Sequence, residues 1–550
     1  MDYNKLADLL YPTAVNTDVW ENKYPKRELK TGAEVTRFAP SPTGSLHIGH
    51  FFQCLCDSYI AKSTGGLFFF RVEDTDKKRE VEGSVDNAIN TLEKFGIFYD
   101  EGVMKNGEEK GEYGPYLQSA RTEIYRSYAK KLVASGRAYP CFCEKPENFE
   151  EVKEKRQEQL EENFALQQKD PCRDLSLEEV EQKLSQNKPF ALRLKSLGDP
   201  EKSFKFKDEV KGEREIRENS KDIILIKSDG LPVYAFAHAV DDHLMRTTLV
   251  IRGEEWYPSL ASHLELFDAM GFERVKYAHN PVISKIDENG GKRKISKRKD
   301  KEGNMAYFIE TGYPVNSIKE YLLTLANSNF EIWRRQNPEK SLEEFEFKAE
   351  KITSSNPMFD FAKLNDISKT IISKMTAEEV YQELSRWASE FDKEFFEVIS
   401  RDENYTKAVL NIDRETPKPR KDIAKMSDVK ESVWGYMFNE YFKPEYELEN
   451  ANVENLKEVV ATYTNIYNHA DTKDEWFARI KEMSGGLGYA VDNKEFKANP
   501  EKFKGNVALV CEYIRIALTG RKNSPDLYSI SQVLGENEVK RRFELLLKSI

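Results

Sequence analysis

The sequence predicts a multidomain α/β protein in which a parallel sheet is interrupted by an α+β insertion and followed by an all-helical region. Two strands of the buried type, 34–39 and 67–72, flank an amphipathic helix, and this βαβ pattern implies a parallel sheet. The pattern resumes with a strand at 247–253 and a helix at 257–271. Beyond about Asn316 the apolar residues recur at helical spacing. A chain of 550 residues is also too long for a single core.

The first helix of the sheet has predictable ends. Ser45 is expected to cap its N-terminus, and Gly65 and Gly66 are expected to end it. Between these residues Ile48, Phe51 and other apolar side chains follow a helical period. The helix should therefore connect the two strands and cover one face of the sheet.

The insertion begins near Leu117. Residues 117–185 have a mostly helical pattern and include a very polar segment, 150–170, that is expected at the surface. A strand-rich part follows, with strands predicted within 189–196, 203–210 and 222–240.

Composition excludes several classes of protein. Mean hydropathy is −0.68 and no apolar run reaches 18 residues, so a soluble chain without a membrane span is expected. The N-terminus has neither a secretory nor a transit pattern, and six cysteines form no regular framework, which favours the cytoplasm. The net charge of −11 limits any nucleic-acid site to a local basic patch. The candidate basic runs are 291–299, 414–421, 520–522 and 540–542.

The segment RFAPSPTGSLHIGHFF, 37–52, predicts a phosphate site at a helix N-terminus, where unpaired amides face the carboxyl ends of the strands. His47 and His50 lie three apart, hence on one helix face, and could stabilise charge on a triphosphate. Gly49 between them would let a flat base or sugar approach the backbone. The alternatives are a helix cap with a surface histidine, or a metal pair, for which the sequence offers no third ligand.

Four ordered motifs now resemble one family. RFAPSPTGSLHIGH is similar to the first signature of class I aminoacyl-tRNA synthetases, in the form typical of bacterial-type glutamyl-tRNA synthetases. FFFRVEDTD resembles the strand and acidic turn that follow it in that family, and DGLPVYAFAHAVDDHLMRTTLVIRGEEW resembles the half that binds the amino acid. RKISKRKD resembles the second, lysine-bearing signature. The resemblance extends from Arg37 to the C-terminus.

The resemblance implies ATP-dependent ligation of L-glutamate to tRNA-Glu through a glutamyl-adenylate, with Mg²⁺ accompanying ATP. The sequence leaves open whether tRNA-Gln is also charged, and a monomer is expected. By resemblance the catalytic residues are His47, His50, Lys294 and Lys297, and ATP also contacts Gly49 and Ser296. The implied glutamate site consists of Arg37, Ser41, Glu73, Tyr234, His238 and Arg252, with arginines on the carboxylates and Glu73 on the α-ammonium group. His238 departs from the family, in which Asn is frequent at this position.

Six segments are assigned from the pattern together with the resemblance. They are an N-terminal extension (1–33), the first half of the Rossmann-like catalytic domain (34–116), an inserted acceptor-binding domain (117–230), the second catalytic half with the lysine loop (231–315), a helical stem-contact region (316–390) and an all-helical anticodon-binding region (391–550).

Cys141, Cys143 and Cys172 lie in the insertion, where some relatives have a zinc knuckle. The places of the usual fourth ligand hold Gln168 and Asp174, and Asp174 could complete a tetrahedral set. Because the usual ligand is missing, the alternative of three buried or half-exposed thiols is favoured over zinc.

Two other functions share parts of this pattern. A nucleotidylyltransferase has the histidine signature, but it needs neither the long helical tail nor the arginine pair. A catalytically silent tRNA-binding homologue should have lost signature residues, whereas His47, His50, Lys294 and Lys297 are all present.

Overall fold

The computed structural model describes residues 1–143, 170–449 and 451–550. The predicted surface segment 150–170 and Gln168 therefore lie outside the described residues, apart from Asp170. The chain forms two compact units. Unit 1 contains Met1–Tyr307 and Lys319–Asp360, and unit 2 contains Phe308–Ile318 and Phe361–Ile550.

The strands lie in unit 1. They are β1 (Val35–Phe38), β2 (Leu67–Phe70), β3 (Glu101–Val103), β4 (Glu109–Lys110), β5 (Ala138–Cys141), β6 (Ala191–Leu194), β7 (Ser203–Asp208), β8 (Gly212–Arg217), β9 (Ile224–Ile226), β10 (Leu249–Gly253), β11 (Lys276–Asn280), β12 (Ser284–Ile286) and β13 (Lys292–Lys294).

The helices up to residue 336 are α1 (Tyr3–Leu10), α2 (Asp18–Lys23), α3 (Ile48–Thr64), α4 (Ser84–Lys94), α5 (Thr122–Ala134), α6 (Leu177–Ser185), α7 (Tyr234–Leu244), α8 (Leu260–Met270), α9 (Met305–Thr311), α10 (Val315–Ala326) and α11 (Phe330–Gln336). Unit 2 continues with α12 (Phe361–Lys374), α13 (Ala377–Phe391), α14 (Lys393–Arg401), α15 (Glu403–Asn411), α16 (Val453–Ile466), α17 (Lys473–Gly486), α18 (Asn493–Ala498), α19 (Val507–Thr519), α20 (Leu527–Leu534) and α21 (Glu536–Ser549). No helix of the described ranges combines the length and the apolar character needed to cross a membrane.

The predicted parallel sheet is confirmed. Strand β1 pairs in parallel with β2, and β2 with β3. Strand β10 pairs in parallel with β11, and the backbone amide of Thr248, just before β10, donates to the Val35 carbonyl at 3.0 Å. The carboxyl ends of β1 and β10 therefore lie at the same edge, although an insertion separates them in sequence.

Helix α3 connects the first two strands as expected, but one of its predicted ends was wrong. Gly65 ends it in the left-handed conformation, with φ of 66°. The N-cap is His47 rather than Ser45, because His47 has extended backbone and its Nδ1 accepts a hydrogen bond of 2.9 Å from the Gly49 amide. An imidazole nitrogen is here the N-cap acceptor, a role that usually belongs to a hydroxyl or carboxylate oxygen.

The strand predicted within 222–240 was right only for β9, since residues from Tyr234 onward form helix α7. Phe236, Ala237 and Val240 are all completely buried. A helix that is buried on most sides produces a continuous apolar run, and such a run cannot be distinguished by period from a buried strand.

The N-terminal extension is part of unit 1 and begins with helix α1. Its Lys5 pairs with Glu181 at 3.0 Å. Farther along the extension, Arg27 makes two hydrogen bonds of 2.8 Å to the Glu101 carboxylate. Unit 2 is helical as predicted, with no strand among its described residues, and its helices enclose one apolar core.

Candidate active site

A cavity of about 290 Å³ opens beside the N-terminus of α3. Its walls come from the loop before α3, from β2, from α4 and from the end of hairpin β12–β13. Five residues predicted for the site line it: Ser41, His47, His50, Lys294 and Lys297. The two signatures, about 250 positions apart in sequence, thus meet around one cavity.

His47 both caps helix α3 and lines the cavity. Its Nδ1 caps α3, so the neutral ring must carry its proton on Nε2. Burial, followed by the neighbouring His50, lowers the pKa of His47 to about 4. The imidazole is consequently a neutral hydrogen-bond donor near pH 7. A Cβ at Gly49 would lie 3.1 Å from the same Nδ1, so a small residue there also protects the cap.

Lys297 reaches from the lysine loop to the loop before α3. Its Nζ donates to the Ser45 carbonyl and lies 3.6 Å from the position of a Cβ on Gly44, where φ is 100°. Burial lowers the pKa of Lys297. Lys294 is more exposed and pairs with Glu255 at 3.3 Å.

Asp300 holds the lysine loop in shape. Arg293 donates to both oxygens of its carboxylate, at 2.6 and 2.7 Å, and the Ser296 amide donates to it at 2.8 Å. The Arg293 hydrogen bonds are the main reason that the pKa of Asp300 is lowered. Ser296 itself does not line the cavity.

Asp242, which was not predicted from the sequence, contacts two residues of the predicted glutamate site, Arg37 and His238. Its buried carboxylate accepts hydrogen bonds from Arg37, from Arg71 and from Thr247. Burial opposes ionisation, but Arg71 and Arg37 together lower the pKa of Asp242 well below its ordinary value. Asp242 is on α7, four residues after His238, and that helical spacing could have identified it once α7 was recognised as a helix.

Glu73 is held by the second of these arginines. Arg71 Nη2 donates to Glu73 Oε1 at 3.0 Å, and both side chains are buried. Burial raises the pKa of Glu73 even though Arg71 and Arg37 oppose the shift. Glu73, predicted to bind the α-ammonium group of glutamate, therefore already has a cationic partner within the protein.

Tyr234 lies at the start of α7 among aromatic side chains. Its ring centroid is 4.3 Å from that of Trp256 and 5.7 Å from that of His263, and its ring stacks on His238 at 5.4 Å. Both nitrogens of His238 are used inside the protein: Nδ1 pairs with Asp242, and Nε2 is 2.8 Å from the Tyr277 hydroxyl. A direct bond from His238 to a ligand would have to replace one of them.

Arg252 differs from the other buried arginines of unit 1, which pair with aspartates. It is 2% exposed, and no carboxylate lies within ion-pair distance among the residues that the structure describes. Its guanidinium donates instead to His279 at 3.0 Å and contacts His263 at 2.8 Å. Arg37 approaches the same strand, since its Nη1 donates to the Ile251 carbonyl at 3.2 Å.

Apart from Gly49 and Ser296, which do not line the cavity, the predicted residues fall into two groups. One lines the cavity, and the other forms a buried cluster behind the strand ends. The second group contains Arg37, Glu73, His238 and Arg252, which are buried, and Tyr234, which is half-buried.

A possible metal site lies in the insertion. The ligand atoms of Cys141, Cys143, Asp170 and Cys172 are all within 4.8 Å of one another. The Cys143 and Cys172 sulfurs are 3.7 Å apart, close to the separation of about 3.8 Å for two thiolates on a tetrahedral zinc ion. The fourth group is Asp170, which also pairs with Arg193 at 3.0 Å. Asp174 is not part of the cluster; it is mostly exposed and pairs with Lys195 at 3.2 Å. Three thiols and a carboxylate fit zinc by number and by chemistry.

Two of the candidate basic runs contain structural arginines. Arg414 is buried and donates to the Leu410 and Ile372 carbonyls, at 2.8 and 2.6 Å. Arg542 is completely buried, lies 3.7 Å from the centre of the Phe442 ring and pairs with Glu538. Neither guanidinium is available to a nucleic acid.

Comparisons with known proteins agree with this geometry. Residues 34–366 match the family "tRNA synthetases class I (E and Q), catalytic domain", and residues 493–547 match "Anticodon binding domain". The chain is 46% identical to the glutamate–tRNA ligase of Clostridium perfringens (strain SM101 / Type A) and 40% identical to that of Sorangium cellulosum. The first alignment covers all of both chains, and the second covers 97% of this chain and 98% of its relative.

A solved structure supports the fold. The glutamate tRNA ligase of Elizabethkingia meningosepticum, crystallised in complex with its amino acid, superposes with a TM-score of 0.72 at 26% identity, over 94% of this chain and 99% of that one. With the catalytic family matched over more than half of the chain and relatives matched over its full length, the chain belongs to the glutamate–tRNA ligases, within the class I tRNA synthetases.

Proposed function

We propose that this chain ligates L-glutamate to tRNA-Glu with ATP, through a glutamyl-adenylate, and releases AMP and pyrophosphate. The observation that carries the proposal is the meeting of both signatures at one cavity, with two buried arginines at the strand ends behind it. Phosphate contacts and carboxylate contacts are both needed to join an amino acid to a nucleotide, and unit 1 supplies both.

In the first step a glutamate carboxylate oxygen attacks the α-phosphorus of ATP, and pyrophosphate leaves. The reaction needs aligned reactants and stabilised phosphate charge rather than a protein nucleophile.

We assign ATP to the cavity, with His47 as a neutral hydrogen-bond donor, His50 beside it and the Lys297 ammonium group as a point charge. Lys294 can join them by releasing Glu255, and Gly49 and Ser296 complete the predicted set. Mg²⁺, when bound with ATP, neutralises charge on the β- and γ-phosphates.

Glutamate is assigned to the side of the buried cluster. Arg252 is a candidate for a substrate carboxylate because its Nη2 has no hydrogen-bond partner among the described residues. Arg37 is a second candidate, since Asp242 and the Ile251 carbonyl engage its Nε and Nη1. Glu73 would accept the α-ammonium group, with Ser41 and Tyr234 as further hydrogen-bond partners. His238 would support the site without contacting glutamate, because Asp242 and Tyr277 engage both of its ring nitrogens.

In the second step the glutamyl group passes from the adenylate to the 2′-hydroxyl of the terminal adenosine of tRNA. The helical C-terminal region would hold the anticodon, and the matched anticodon-binding segment supports this role. Charging of tRNA-Gln, a monomeric state and a cytoplasmic location stay predictions.

Zinc is a further candidate, held by Cys141, Cys143, Cys172 and Asp170. A structural zinc ion would join strand β5 to the segment at 170–172 and supply folding energy to the insertion. It would take no part in the ligation chemistry.

The decisive experiment measures ATP–pyrophosphate exchange with and without glutamate and tRNA, followed by charging of purified tRNA-Glu and tRNA-Gln. We expect exchange to depend on glutamate and on tRNA. Amino-acid-independent exchange would favour a nucleotidylyltransferase, and its complete absence with all substrates present would favour a silent tRNA-binding homologue. Charging of both tRNAs would identify a non-discriminating enzyme.

A further inference from the structure

Arg252 is a buried cation that the protein holds without a direct anionic partner. Buried arginines normally pair with a carboxylate, as Arg37 and Arg71 do with Asp242. Arg252 instead directs Nε to His279 Nε2 at 3.0 Å and Nη1 to His263 Nδ1 at 2.8 Å. Its Nη2 is buried and has no hydrogen-bond partner among the described residues.

These contacts determine the tautomers of the two histidines. Arginine can only donate, so His279 Nε2 and His263 Nδ1 must both accept and both rings must be neutral. Burial lowers the pKa of each histidine, in agreement with neutral rings. The proton of His279 consequently sits on Nδ1, which lies 2.5 Å from Oδ2 of Asp208.

Asp208 is fixed independently of the histidine. Its Oδ1 accepts hydrogen bonds from the amides of Val210 and Lys211, at 2.9 and 2.8 Å, while Oδ2 faces His279. Burial opposes ionisation, but the hydrogen bond from His279 and these amides lower the pKa of Asp208. The carboxylate thus balances the arginine from the far side of the imidazole.

The fold brings these groups together without any local sequence motif. Arg252 and His279 are register partners in the parallel pairing of β10 with β11, Asp208 ends β7, and His263 comes from α8. The Tyr277 ring lies 4.7 Å from the guanidinium carbon and supports one face of it.

We infer that Asp208, His279 and His263 are positioning residues that orient Arg252 and leave its buried Nη2 donor unpaired for a carboxylate of the amino-acid substrate. The inference rests on the proposed function and deepens it. A carboxylate bonded directly to Arg252 would occupy the edge that the substrate needs, whereas neutral imidazoles orient the guanidinium without doing so.

The first test is Asp208→Asn. The backbone amides should retain the asparagine oxygen at the Oδ1 position, so its NH₂ group faces His279 Nδ1 and drives the ring proton to Nε2, against the Arg252 donor. We expect the KM for glutamate to rise at least tenfold in tRNA charging, with the KM for ATP within about threefold of wild type. If the carboxylate acted only through its charge, its removal would lower the KM for glutamate, and that result would overturn the inference.

The second test compares His263→Asn with His263→Leu, and it decides the matter even if Asp208→Asn does not fold. Asparagine can place its oxygen near the Nδ1 position, so the KM for glutamate should stay within about threefold of wild type; leucine removes the acceptor and should raise it at least tenfold. His243→Asn is the matched control, since this histidine on α7 stacks on Phe272 and pairs with Glu21, away from Arg252.

Equal effects of asparagine and leucine at 263, or changes in kcat alone, would assign these residues a merely structural role and overturn the inference. Failure of the proposed function can be distinguished from failure of this inference, because the wild-type chain would then not charge tRNA with glutamate at all.

Discussion

Arg37 donates from Nε to both carboxylate oxygens of Asp242, at 3.3 and 3.4 Å, and neither side chain is more than 2% exposed. The pair joins strand β1 to helix α7 across 205 positions of sequence. Arg71 adds a bond of 2.8 Å to the same carboxylate. One buried anion therefore orients two arginines at the strand ends.

Replacing Asp242 by Asn should destabilise unit 1. Two guanidinium groups would lose their common anion, and removal of one partner from a buried ion pair costs about 3–5 kcal/mol. Urea unfolding followed by circular dichroism measures the loss. Asp268→Asn is the control, because Asp268 is half exposed, pairs with Arg274 and should matter by less than about 1 kcal/mol. Similar losses in both variants would contradict the role assigned to Asp242.

The stabilisation from Asp242 should also depend on pH in one direction. Its pKa is well below the ordinary value in the folded protein, so the contribution is fully present above the unfolded-state pKa of about 3.9 and is lost as pH falls toward the folded-state value. The difference in the free energy of unfolding between wild type and Asp242→Asn should be constant from pH 7 to 5 and smaller at pH 3.5. A difference that grows on acidification would contradict this assignment.

Variants of His47 can separate the helix cap from the chemistry. Asparagine is a good N-cap, whereas alanine cannot accept the Gly49 amide, so only His47→Ala should lose about 1 kcal/mol of stability. Both variants lack the imidazole donor, and both should slow tRNA-dependent pyrophosphate exchange by about 100-fold. Normal exchange in His47→Asn would show that the histidine serves only as a cap.

Lys297→Met tests the lysine loop. The ammonium group reaches the cavity and contacts the Ser45 carbonyl, so its loss should reduce the rate of pyrophosphate exchange by about 100-fold or more. Lys299→Met is the matched control, because Lys299 belongs to the same loop but does not line the cavity. Equal losses in the two variants would point to the general charge of the loop instead.

The cysteine cluster predicts a specific pattern of metal content. Atomic emission of the purified chain should give about one zinc ion per molecule, and Cys143→Ser and Asp170→Asn should each lower that content. Asp174→Asn should leave it unchanged, because the Asp174 carboxylate is not among the clustered ligand atoms. A wild-type chain without zinc after growth in zinc-supplemented medium would assign the cluster to packed thiols.

Local features were predictable where short-range physics decides them. The strands around α3 follow from their buried apolar runs, and the end of that helix follows from Gly65, which can adopt the left-handed conformation without strain. The start of α3 was misplaced because an imidazole cap on the Gly49 amide is rarer than a serine cap. Helix α7 was read as a strand because burial on most sides removed the polar face that would have revealed its period.

The sequence by itself determined the strand–helix–strand unit around α3, the helical C-terminal region, the family motifs and the residue types that meet phosphate and carboxylate groups. Only the tertiary structure decided that Arg37 shares Asp242 with Arg71, that Arg252 rests on two imidazoles, and that Asp170 rather than Asp174 joins the cysteines. The physical reason is that the arginines and their partners, and Asp170 and the first two cysteines, come from segments far apart in the chain. A buried charge is stabilised by whatever group the packed sheet and helices bring within about 3 Å of it. A local sequence pattern does not contain that distance.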